Sequence, residues 1–142
     1  MTEEKYLKGI VKARDNLSLL KVKIHNKEYK GNDYFWGGAG IVIGEKPPPK
    51  SKGWWPDERY LVTPYAKELS WLFIQLRDVF YDVPLIDYFN KYEFFARLLD
   101  ASEAYVRSVD DGIGHIEELL MAVNREADVI LKEMLSMFPH GN

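Results

Sequence analysis

The 142-residue chain contains no cysteine. Disulfides, thiolate nucleophiles, zinc–thiolate sites and iron–sulfur clusters are thereby excluded. The absence also fits a reducing compartment. Histidine is scarce, with only His25, His115 and His140. They form no HxH or HExxH pattern, and His115 with Glu118 runs in the reverse order to the di-iron bundle motif. None of the six serines lies in a GxSxG elbow or an SxxK motif. Gly37, Gly38 and Gly40 cluster but fit neither the phosphate-loop nor the dinucleotide pattern. No uninterrupted apolar run approaches the roughly 20 residues that span a bilayer. The opening MTEEKYLKGIVKARD is charged throughout and lacks a signal-peptide core. These absences lead to the expectation of a cytoplasmic protein with no cofactor, no metal and no membrane partner.

What remains is organised as helices around one irregular stretch. Residues 29–65 hold six of the ten glycines, five of the seven prolines and three of the four tryptophans. Outside that stretch apolar residues recur at alternating spacings of three and four, the period of a helix buried along one side. Tyr6, Ile10, Ala13, Leu17, Leu20 and Ile24 mark a first helix over 3–30, with Gly31–Asn32 as its stop. Thr63–Pro64 is the clearest start signal, a capping hydroxyl before a proline at the first helical position. Tyr65, Leu69, Leu72, Leu76 and Val79 follow, flanked by Phe73 and Phe80. A third helix over 84–109 places Leu85, Phe89, Tyr92, Ala96, Leu99 and Val106 near one stripe, with Phe95 beside it. After the turn at Asp110–Gly112, the fourth carries Ile113, Ile116, Leu120, Val123, Ala127, Ile130, Met134 and Met137.

The expected fold is therefore all-α in the main: one domain over 1–142, a four-helix antiparallel bundle, with an irregular excursion over 31–62. A connection of that length far exceeds the usual two to eight residues between bundle helices. Its rings, Tyr34, Phe35, Trp36, Trp54, Trp55 and Tyr60, argue against disorder. Ile41–Ile43 and Tyr60–Val62 are β-prone runs that can pair as a small antiparallel hairpin across the loop from Glu45 to Arg59. Lys46–Pro47–Pro48–Pro49–Lys50 favours a polyproline II conformation.

Charge is uneven. Residues 1–52 hold eleven lysines and arginines against six acids, a balance of +5, and residues 53–142 hold eight against sixteen, a balance of −8. Three functional expectations follow. The first is a non-catalytic interaction module that binds a protein partner, or itself as a homodimer, through the aromatic loop. Its binding residues are Trp36, Trp54, Trp55, Lys50, Lys52 and Arg59, because tryptophan and arginine dominate binding hot spots. The second is nucleic-acid binding by the outward stripe Lys5, Lys8 and Lys12 together with that loop. The third is a carboxylate–metal nucleotide hydrolase using Asp100, Glu103, Glu117 and Glu118. The exposure of the three loop tryptophans separates a structural cap from a binding surface.

Overall fold

The computed structural model describes residues 3–31, 33–37, 40–46, 59–81, 83, 91–108 and 115–137. In chain order the described elements are α1 (Glu3–His25), β1 (Tyr34–Trp36), β2 (Ile41–Gly44), β3 (Arg59–Val62), α2 (Ala66–Val79), α3 (Lys91–Ser108) and α4 (Ile116–Met137). The fold is mainly helical, with a small sheet between α1 and α2.

The apolar stripe of α1 is buried along its whole length, from Tyr6 to Ile24. It faces α4 and runs against it. The Tyr6 hydroxyl donates to the Met134 carbonyl at 3.2 Å, the Asn124 amide donates to the Leu17 carbonyl at 3.2 Å, and His25 Nδ1 lies 3.0 Å from Glu117. One helix thus rises as the other falls. α3 is antiparallel to α4 in the same way, with Arg97 bonded to Glu126 and Glu133, and Tyr105 bonded to Glu118. Phe80, just past α2, packs on Phe94 in the first turn of α3.

Three element boundaries and one buried face differ from the sequence reading. α1 ends at His25 rather than near residue 30. Lys27 takes a left-handed φ of 57°, and Glu28 N–H bonds the Lys23 carbonyl while Lys27 N–H bonds that of Ile24. That pair of bonds is a Schellman ending. Gly31 serves a different purpose: a Cβ there would meet the Lys67 Cβ at 2.3 Å and its carbonyl oxygen at 2.6 Å. Only glycine lets the chain pass so close to α2. The Thr63 hydroxyl accepts from Tyr65 N–H at 3.2 Å, so the proline turn precedes α2 instead of forming its first residue. The described part of α3 begins at Lys91, and it buries Phe94, Phe95, Leu98 and Leu99 with Ser102. Tyr92, Ala96 and Val106 sit at the margin, one position round from the stripe expected of them. α4 begins at Ile116.

The sheet corrects the expected pairing. Ile41–Gly44 and Arg59–Val62 run parallel, in register Ile41 to Arg59 through Gly44 to Val62, and not as an antiparallel hairpin. The antiparallel partner of β2 is β1, with Tyr34 opposite Gly44 and Trp36 opposite Val42. A tight connection closes that pair, where Gly37 N–H bonds the Ile41 carbonyl at 2.8 Å and Gly40 has a φ of 90°. The physical reason lies in loop length. Parallel neighbours need a crossover of about a dozen residues or more, and the interval 45–58 is that long. β2 is therefore the central strand.

Candidate binding surface on the small sheet

Successive side chains of a strand point to opposite sides. In β1 that alternation is complete: Phe35 is 2% exposed, whereas Tyr34 and Trp36 are 61% and 59% exposed. Phe35 enters a ring cluster with Phe73 of α2 at 5.4 Å and Phe95 of α3 at 5.2 Å between centroids, both edge-to-face. Ile41 and Ile43 are buried on the same side, and Leu61 packs there too.

The inner side also takes the one charged residue of the three strands, Arg59. Its guanidinium lies 2.8 Å from Asp100 and 3.1 Å from Glu103, both on α3, and Arg107 approaches Glu103 at 3.6 Å. Burial opposes the Arg59 charge, but the bonds to Asp100 and Glu103 outweigh it and hold its pKa above the usual value. Arg59 therefore ties β3 to α3 from the side of the sheet opposite Trp36.

The outer side is set by register. Trp36, Val42 and Tyr60 form one cross-strand row, and Tyr34, Gly44 and Val62 form the next. Val62 is exposed, while Val42, Gly44 and Tyr60 are half-buried. Within β1, Tyr34 and Trp36 stand about 7 Å apart, and β1 and β3 are about 10 Å apart across β2, from standard strand dimensions. Tyr34 and Trp36 thus line the β1 edge of this face, with Val42 and Gly44 beside them on β2 and Tyr60 and Val62 beyond on β3. At the end where Tyr34 and Gly44 pair, Asp33 just before β1 and Glu45 just after β2 are exposed, followed by exposed Lys46. A recess lined by Glu45, Val62, Thr63 and Pro64 opens at that end.

Of the expected binding residues, the structure places Trp36 on the outer side and Arg59 on the inner. Trp54, Trp55, Lys50 and Lys52 lie outside the described residues. The sequence reading counted Tyr34 among the loop rings, and Val42 and Val62 within the β-prone runs, but named none of them as a binding residue. The two-residue alternation of Tyr34–Phe35–Trp36 was the available signal, but a run of three is too short to stand out beside glycines.

The other candidate groups are engaged elsewhere. Lys8 pairs with Glu4 at 3.5 Å, and neither Lys5 nor Lys12 lacks a partner. Glu117 meets His25, and Glu118 accepts from the Tyr105 hydroxyl at 2.7 Å with His115 Nδ1 at 3.4 Å. Partial burial, then the bond to Glu118, pushes the Tyr105 phenol up to about 12. In return Tyr105, then His115, holds the Glu118 carboxyl below its ordinary value. Among the described residues, no three carboxylate or imidazole groups converge as metal ligands, and no helix is long and apolar enough to cross a membrane. Comparison of the chain with protein-family models, curated proteins and solved structures yields no match.

Proposed function

We propose that this protein is a non-catalytic interaction module whose recognition surface is the outer face of the three-stranded sheet. The observation that carries the reading is the exposure of Tyr34 and Trp36 together, on a strand whose middle residue Phe35 is anchored in the core. Rings held on a rigid backbone lose little entropy on contact, and tryptophan and tyrosine supply much of the energy at binding hot spots. The helices supply the scaffold: their stripes are used against one another and against the inner side of the sheet.

The test is site-specific photocrosslinking in cells, with a photoreactive phenylalanine replacing Trp36, and Val129 on the exposed side of α4 as the control position. A discrete protease-sensitive adduct from position 36 and none from 129 is the expected result. An adduct sensitive to nuclease instead of protease moves the function to nucleic-acid binding. Equal labelling from both positions removes the sheet as a recognition surface.

A further inference from the structure

The apolar seam between α1 and α4 is compatible with more than one alignment of the two helices, and we infer that Asn124 is the device that holds it in a single register.

Three observations lead there. The first is the repeat. The buried residues Tyr6, Ile10, Ala13, Leu17, Leu20 and Ile24 on α1, and Leu120, Val123, Ala127, Ile130 and Met134 on α4, recur at alternating spacings of three and four. Such a stripe returns to itself every seven residues, so a slide of α4 by seven residues lays apolar on apolar again. That slide is about 10 Å at a rise of about 1.5 Å per residue. The polar contacts along α4 oppose it weakly. Tyr6 donates to the main-chain carbonyl of Met134, and every residue offers a carbonyl. Arg97 of α3 holds both Glu126 and Glu133, which are themselves seven residues apart, so one of the two stays within its reach after a slide in either direction. His25 and Glu117 pair largely in solvent, where an ion pair contributes little.

The second is what interrupts the stripe. Asn124 is fully buried, and among the described residues it is the one polar side chain buried on α1 or α4. Its amide nitrogen donates to the Leu17 carbonyl at 3.2 Å, while its amide oxygen, shielded from solvent, meets no partner among the described residues. An unpaired buried carbonyl lowers stability, and an apolar side chain would not carry that cost. Stability therefore does not account for an asparagine here. Fixing helix register is the best-attested use of a lone polar residue in an apolar seam.

The third is why the bond belongs to this level. A side chain as short as asparagine reaches the main chain of another helix only where the side chains between are small. Ala13 is the one alanine in the buried stripe of α1, one turn from Leu17, and Ala127 lies one turn from Asn124. The antiparallel alignment sets these two alanines at the same level, beside the bond. A slide of seven residues brings Asn124 to Ile10 or to Ile24, and the place of Ala13 is then taken by Tyr6 or by Leu20. The amide then loses its carbonyl.

The chain has no cysteine, so introduced thiols report cleanly. Two full-length double variants serve as rulers, each treated with a short bismaleimide. His25→Cys with Glu117→Cys joins the observed register, and Ser18→Cys with Glu117→Cys joins the register displaced by seven residues. With Asn124 present, only the first pair should cross-link. With Asn124→Leu added, the first adduct should fall, the second should appear, and the midpoint of thermal unfolding should stay level or rise. Asn124→Ala, which cannot overfill the seam, should bring the same second adduct. Amide spectra of Asn124→Leu and Asn124→Ala in the cysteine-free chain should show doubled signals along α1 and α4. The inference is overturned if both variants keep a single set of signals and cross-link only between positions 25 and 117. A lower midpoint for Asn124→Leu in a single register makes the asparagine an ordinary stabilising hydrogen bond, which overturns it as well. Cross-linking of positions 18 and 117 while Asn124 is present, or loss of folding in both variants, has the same consequence.

Discussion

The two sides of the small sheet are made from the same three strands and do opposite work. On the inner side Phe35, Ile41 and Ile43 are sealed against α2 and α3, and Arg59 is clamped by Asp100 and Glu103. On the outer side Tyr34, Trp36 and Val62 stay in water. The inner residues hold the sheet to the bundle, and that anchoring is what lets the outer rings remain exposed without the segment collapsing onto the core. Strands of only three and four residues depend on packing one apolar face against another element. Here its stability is borrowed from the helices through one face, which leaves the other available.

This contrast can be broken at several points. The largest effect is expected for Phe35→Ala, which empties a site between Phe73 and Phe95. It should cost about 3–5 kcal/mol in urea unfolding. A loss below about 1 kcal/mol would show that the sheet does not depend on its inner side. Arg59→Gln comes next. It leaves Glu103, mostly shielded from solvent, with Arg107 as its one cationic neighbour among the described residues. A loss of about 1–2 kcal/mol is expected, discounted for partial exposure. Ligand affinity on the outer side should be unchanged, and a parallel loss of affinity would merge the two sides into one site.

Lys27→Gly lies away from both sides and calibrates the scale. Glycine carries no penalty in the left-handed conformation, so this change should stabilise the protein by about 1 kcal/mol. The Tyr105–Glu118 pair gives a smaller, pH-dependent effect. The Glu118 pKa is lowered in the fold, so its contribution is present above the ordinary value of 4.5 and is lost as pH falls below it. The Tyr105 pKa is raised, so its contribution is present below 10.0 and is lost as pH rises toward about 12. Tyr105→Phe should flatten the stability profile at both limits, with thermal unfolding across pH as the readout. The smallest stability change belongs to Trp36→Ser and Tyr34→Ser, less than about 1 kcal/mol each, since exposed substitutions rarely cost more. If either approaches the cost of Phe35→Ala, the outer rings are core and the comparison fails.

The helices were legible because burial on one side imposes a period, and Tyr6 to Ile24 or Leu120 to Met134 display it over several turns. α3 was legible in part: Leu99 and Phe95 are buried as expected, but Tyr92, Ala96 and Val106 fall at the margin, because adjacent pairs such as Phe94–Phe95 and Leu98–Leu99 are both buried and blur the stripe. Strand pairing was legible only as β-prone runs. Ile41–Ile43 and Tyr60–Val62 carry no mark of direction, and the length of 45–58 was the one clue that they run parallel. Arg59 reads in the sequence as one more loop cation, and its partners stand 41 and 44 residues further along the chain at Asp100 and Glu103.

The sequence by itself determined the helix count, the buried stripes of α1, α2 and α4, and the aromatic character of the segment between the first two helices, because local period and composition encode those. The tertiary structure alone decided which ring of Tyr34–Phe35–Trp36 is anchored and which two are presented. It also decided that Arg59 turns inward, that Gly31 is required by the approach of Lys67, and that β2 pairs with β1 on one edge and β3 on the other. Each of those depends on where a distant helix supplies a partner, and no property of the residue or its immediate neighbours specifies that.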